Sequence, residues 1–112
     1  MIAITCDVLD TDALASARKE ILDRWGKIDI LVNCAGGNTT RGTLSDDKSI
    51  FNMKTDDWDE VMNLNVNGTV YPSLVFGEAM GDQNEGVIIN VSSMAAYSAI
   101  TRVPGYSAAK TA

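Results

Sequence analysis

Apolar and polar positions along the 112 residues follow two alternating periods. Ile2 to Asp7 (IAITCD) alternates and then turns polar, which predicts a short strand at the head of the chain. Leu14, Ala17, Ile21 and Trp25 then recur at helical spacing. Thr11 is a suitable N-cap before Asp12, and Gly26 supplies the stop, so a helix is expected between them. Ile28 to Asn33 (IDILVN) reads as a second strand. It runs straight into Cys34-Ala35-Gly36-Gly37, small residues that let the backbone come close to a ligand. A β-branched apolar run, Val87 to Val91, is bounded by Gly86 and by Ser92-Ser93 and predicts a buried parallel strand.

The intervening stretches differ in character. Asn38 to Lys54 is polar and reads as a loop, long enough to be functional or mobile as well as merely solvated. Thr55 is expected to cap a long helix from about Asp56 to Met80, with acidic residues in its first turn where the helix dipole favours them. Trp58, Val61, Asn65, Gly68 and Phe76 fall on or near one stripe of it. Pro72 lies inside and should cost one backbone hydrogen bond, to Gly68, and bend the axis. Gly81 to Gly86 is a polar turn. Pro104-Gly105 opens a last helix, because proline is tolerated in a first turn and the alanines that follow favour continuation.

Composition narrows the function classes. The length suits one domain, and 46% hydrophobic with 21% charged residues is that of an ordinary globular chain. A net charge of −6 without a basic cluster argues against nucleic acid or an anionic membrane as partner. No apolar run approaches the roughly 20 residues of a membrane helix, and the amino terminus lacks signal-peptide character. The cytoplasm is the expected compartment. Cys6 and Cys34 end two apolar runs, as small thiols of a reducing compartment do. With no His and only two Cys, no zinc site is expected.

Candidate chemistry concentrates near the carboxyl end. Tyr106 and Lys110 are four residues apart and share one helix face. An ammonium beside a phenol favours the phenolate, so Tyr106 becomes a candidate proton donor and acceptor near neutral pH. Alone, a Tyr-x-x-x-Lys spacing is weak, since a surface tyrosine beside a solvated lysine gives the same pattern. Its company is more telling. Ser93 lies thirteen residues before Tyr106, Asn65 stands in Asn-Val-Asn-Gly, and Asn33-Cys34-Ala35-Gly36 closes the second strand. An asparagine on an apolar stripe needs hydrogen-bond partners once buried, so Asn65 is either a helix-packing amide or part of a site. Arg102, between Ser93 and Tyr106, is either a solvated loop residue or a partner for a substrate carboxylate, which its planar fork suits.

With these residues in place, the sequence resembles the short-chain dehydrogenase/reductase family over essentially all of its length, but only over the middle of a family member. The resemblance implies an α/β fold, a Rossmann-type doubly wound parallel sheet of which this chain supplies strands three to five. It implies that Asn65, Ser93, Tyr106 and Lys110 form the catalytic set. NAD or NADP is the implied cofactor, met by Asp7 and Val8 at the adenine ring, by Asn33, Ala35 and Gly36 beside the ribose, and by Tyr106 and Lys110. A plain turn carboxylate is the alternative for Asp7. Cys34 stands where many members have a second asparagine. The implied reaction is reversible hydride transfer between nicotinamide and an alcohol or ketone, with Ser93 orienting the substrate oxygen and Arg102 as a further substrate contact. The run Asn65 to Phe76, with Ala35 to Asn38 and Ser92 to Met94, looks most like the branch that contains D-mannonate oxidoreductases and sugar-acid reductases. A homodimer or homotetramer is expected by analogy. Two other classes stay open, a non-catalytic binding or regulatory relative and an NAD-using dehydratase or epimerase.

No glycine-rich turn of the kind that holds a cofactor pyrophosphate occurs in the sequence. In the usual strand order, strand three would stand about 14 Å from strand four with nothing between them. The expectation is therefore an incomplete dinucleotide-binding domain, inactive and poorly folded by itself.

Overall fold

The computed structural model describes residues 1–112, which divide into two compact units. The first comprises 1–34 and 68–91, and the second 35–67 and 92–112.

In the first unit, helix α1 spans Thr11–Trp25 and strand β1 spans Ile30–Asn33. Helix α3 spans Gly68–Gln83, and strand β2 spans Val87–Asn90. The strands pair in parallel, Ile30 opposite Val87 and Asn33 opposite Asn90. A parallel pair needs a crossover rather than a hairpin, and the chain between the two strands supplies one. The architecture is α/β with a parallel sheet, as expected. α1 packs on α3, and Leu14, Ala17, Ile28, Phe76, Ala79 and Met80 form the core, with Cys6, Leu31 and Tyr71 against its edge. Arg18 reaches across to donate to the Val75 carbonyl at 3.0 Å and pairs with Glu78.

Several boundaries differ from expectation. Asp10, not Thr11, caps α1, because its carboxylate accepts both the Asp12 and Ala13 N–H groups at 3.0 Å. Gly26 ends the helix in the left-handed region at φ 74°, where a Cβ would be strained. Trp25, the last of the apolar residues at helical spacing, is half exposed. Ile2 to Asp7 forms no strand, since no neighbour offers it a ladder. The second strand starts at Ile30 rather than Ile28. β2 is not buried in this chain, and Val87, Ile88 and Ile89 are each at least 41% exposed. A continuous apolar run shows that both faces can be covered, not that this segment covers them.

In the second unit, helix α2 spans Thr55–Met62, and a π turn, Asn63–Asn67, follows it directly. The expected single helix from Asp56 is thus three successive segments, α2, the π turn and α3. Its N-cap is Lys54, without a side-chain cap, rather than Thr55. Helix α4 spans Pro104–Thr111 with Pro104 in its first turn, as predicted. α4 packs on α2, where Gly105 lies against Trp58 and Val61. Val61 has no exposed surface. Short 3-10 turns occupy Ile50–Asn52 and Met94–Ala96.

Candidate active site

Gly36, Asn65, Tyr106 and Lys110 come together in the second unit, and the π turn explains how. In a π turn the backbone bonds run i to i+5, which leaves the preceding carbonyls open to side-chain donors. Asn65 is buried at 4% exposure, and its Nδ2 donates to the Val61 carbonyl at 2.8 Å. The same Nδ2 donates to the Gly37 carbonyl at 2.7 Å, while Oδ1 accepts the Gly37 N–H at 3.0 Å. An amide offers two donors and an acceptor, and here they tie the glycine segment to the helix. The packing-amide reading of Asn65 thus holds, and it brings a second role, since what the amide packs is the candidate site.

Gly36 lies at φ 151°, and a Cβ there would stand 2.7 Å from Asn65 Oδ1 and 3.4 Å from Lys110 Nζ. Only a residue without a side chain fits so close to them. Lys110 Nζ in turn lies 5.9 Å from the centroid of the Tyr106 ring, within reach of a cation–π contact. The one-turn spacing read from the sequence is therefore a real juxtaposition.

Ser93 caps the 3-10 turn, with its Oγ accepting the Ala95 N–H at 3.1 Å. That bond uses a lone pair and leaves the hydroxyl proton to be donated. The turn packs on α4, and three hydroxyls stitch the two together. Ser92 Oγ donates to the Lys110 carbonyl at 3.4 Å, Ser107 Oγ accepts the Ile100 N–H at 3.2 Å, and Thr111 Oγ1 donates to the Ala96 carbonyl at 3.4 Å.

Other predicted residues are placed differently. Arg102 sits in the left-handed region at φ 71°, and its guanidinium pairs with Asp46 at 2.6 Å. In the first unit, Asp7 Oδ1 accepts the Leu9 N–H at 2.9 Å, the geometry of a turn carboxylate. Val8 is half-buried beside it. Asn33 is buried, and its Nδ2 donates to Ser73 Oγ at 2.9 Å and to Asn90 Oδ1 at 2.8 Å. It fastens the ends of β1 and β2. Ala35 is half-buried and Cys34 is exposed.

Sequence reasoning missed Gly37, the residue Asn65 grips, although its place after Gly36 could have suggested it. It also missed Asp57. This carboxylate is 6% exposed, with Arg41 Nε at 3.5 Å and Lys48 Nζ at 3.7 Å. Arg41 also pairs with Glu60, and Lys48 donates to the Arg41 carbonyl. Glu60 first and Asp57 second hold the guanidinium above its ordinary pKa. The polar segment Asn38 to Lys54 is thereby anchored to α2. No group of His, Cys, Asp and Glu side chains has the arrangement of a metal site.

The chain is similar to known proteins in both sequence and structure. The family model described as short chain dehydrogenase matches residues 1–112. An uncharacterized oxidoreductase, UxuB, from Bacillus subtilis (strain 168) is 39% identical over 116 residues, which take in 96% of this chain and 42% of the relative. The chain thus spans less than half the length of that relative. Among solved structures, a candidate D-mannonate oxidoreductase from Haemophilus influenza with bound NAD superposes with a TM-score of 0.84 at 34% identity, over 95% of this chain and 41% of that one. ElxO with NADP bound gives 0.80 at 27% identity, over 94% and 40% respectively.

Proposed function

The chain belongs to the short-chain dehydrogenase family, and on that premise we propose that its protein is an NAD(P)-dependent oxidoreductase acting on an alcohol or ketone. The observation that carries this reading is that Lys110 Nζ lies both beside Gly36, where Asn65 also approaches, and 5.9 Å from the centroid of the Tyr106 ring. When bound, the dinucleotide supplies or accepts the hydride. Gly36 has no room for a side chain against Asn65 and Lys110, so bare backbone and an ammonium stand side by side there, and with the family resemblance this assigns Ala35, Gly36, Tyr106 and Lys110 to cofactor binding. In the first unit, family resemblance assigns the same role to Asp7, Val8 and Asn33.

Each catalytic-set residue then has a distinct task. Tyr106 gives a proton to the oxygen of the reacting carbonyl, or takes one from the alcohol. Lys110 lies on the same helix face, with its Nζ 5.9 Å from the centroid of the Tyr106 ring. Ser93 donates its free hydroxyl proton to the substrate oxygen and fixes its direction. Asn65 holds the Gly37 backbone in place through its two bonds to it.

D-mannonate, with its oxidised partner D-fructuronate, is the proposed substrate class, supported by likeness to the candidate D-mannonate oxidoreductase. A homodimer or homotetramer in the cytoplasm completes the proposal, the latter supported by two free thiols. No helix is long and apolar enough to cross a membrane.

Tyr106→Phe tests the central assignment. Loss of the phenolic proton should lower turnover by about 10²- to 10⁴-fold while the thermal unfolding midpoint of the whole protein stays unchanged. Unchanged turnover would remove Tyr106 from the reaction.

A further inference from the structure

Ser93 and Tyr106 stand at the two ends of one loop, with the 3-10 turn Met94–Ala96 following the first and α4 carrying the second. No side-chain cap fixes where α4 begins, because Val103 supplies none. The turn ahead of the helix is held from outside instead. Ile100 N–H donates to Ser107 Oγ at 3.2 Å, and Leu44 N–H donates to the Arg102 carbonyl at 2.7 Å. Arg102, two residues after Ile100, keeps φ 71°, a backbone that a residue with a side chain retains only where its surroundings over-determine it.

The hydroxyls that join this loop to α4 are not equivalent. Ser92 and Thr111 are exposed, and their bonds across are long, 3.4 Å each. Thr111 Oγ1 also has a closer acceptor in its own helix, the Ser107 carbonyl at 2.8 Å, which draws its one proton away from Ala96. Ser107 differs on both counts. It is 6% exposed, and its oxygen accepts, so the bond to Ile100 does not compete for its proton. It also follows Tyr106 directly in α4, so the side chain that holds the loop and the phenol are fixed to each other by helix geometry.

We propose that Ser107 is a positioning residue: by holding the Ile100 N–H against the first turn of α4 it fixes the loop that carries Ser93, and so sets the place of the Ser93 hydroxyl relative to the Tyr106 phenol. The proposal rests on the oxidoreductase reading for the reaction it serves, but one arm of its test does not. Amide hydrogen exchange of the whole protein reads the hold directly, without substrate. Ser107→Ala should speed exchange at Ile100 by about three- to tenfold, the worth of one hydrogen bond, and with it exchange at Ala95, whose N–H meets Ser93 Oγ. Ser107→Cys keeps nearly the same volume but offers only a weak acceptor, and should do the same. The second arm follows turnover of D-mannonate with NAD(P). Ser93→Ala should lower it by about 10²-fold or more in the unaltered protein, and by at least about tenfold less in the Ser107→Ala background, because a hydroxyl already out of place has less to lose. A residue that only supported the fold would leave the two losses independent. Unchanged exchange at Ala95 in Ser107→Ala, an Ile100 amide as protected in Ser107→Cys as in the unaltered protein, or independent effects of Ser93→Ala and Ser107→Ala on turnover would each overturn the proposal. Absence of turnover by the unaltered protein would tell against the oxidoreductase reading and not against this one, which the exchange arm then decides alone.

Discussion

Asn65 closes on the backbone of Gly37 from both sides, accepting its N–H at 3.0 Å and donating to its carbonyl at 2.7 Å. A side chain that answers both polar groups of a half-buried backbone residue in this way acts as a missing strand partner would. Asn65→Ala leaves those two groups and one bond of the Val61 carbonyl unanswered. At about 1–3 kcal/mol for each group left without a partner, the variant should lose about 2–5 kcal/mol, measured by urea unfolding of the whole protein. A loss below about 1 kcal/mol would mean that water replaces the amide.

Gly36→Ala tests the same neighbourhood from the other direction. The added methyl meets Asn65 Oδ1 at 2.7 Å, and that oxygen cannot move aside without releasing Gly37. Overpacking together with the backbone strain predicts a cost of about 1–3 kcal/mol, with weaker NAD(P)H binding. Calorimetric melting and cofactor titration would show both, and an unchanged affinity would separate Gly36 from the cofactor.

Asp57→Ala should loosen the polar segment. Arg41 and Lys48 lose a shared, nearly buried counter-ion, for which removal of one partner typically costs about 3–5 kcal/mol. The exposure of Arg41 discounts the figure here to about 1–3 kcal/mol. Proteolysis within residues 38–54 should become faster, whereas Asp46→Asn should leave it unchanged.

Burial first, then the carboxylates of Asp10 and Asp7, pushes the Cys6 thiol above its ordinary pKa. A raised pKa means less thiolate at neutral pH. Alkylation of Cys6 by iodoacetamide between pH 7 and 8 should therefore run slower than that of a free cysteine and accelerate only at higher pH. Asp10→Asn keeps a competent helix cap but removes one negative charge, and should speed the reaction. Peptide mass spectrometry over a pH series would follow it.

Much of this was legible in the residues, and the failures have physical causes. α4 was readable because Pro104 at a first turn and the alanines after it are local signals. The juxtaposition of Tyr106 and Lys110 follows from one turn of that helix. The cap of α1 was misplaced by one residue because Asp10 and Thr11 are both good caps, and the reach of the carboxylate to two N–H groups decided it. The π turn left no mark in the pattern, since side-chain identity at Asn63 to Asn67 says nothing of how the backbone bonds run. The Arg102–Asp46 pair joins residues 56 apart, and no local rule reaches that far.

The join between β1 and β2 ties residues 57 apart, Asn33 to Asn90. During synthesis at about 5–20 residues per second, the isoleucine, leucine and valine of the earlier strand wait several seconds before their mate leaves the ribosome. Lys27 and Asp29, bridged at 2.9 Å just ahead of Ile30, place charge at the edge of that waiting segment, where flanking charges discourage pairing with other chains. A protein so ordered depends on its translation keeping pace with its own stickiness.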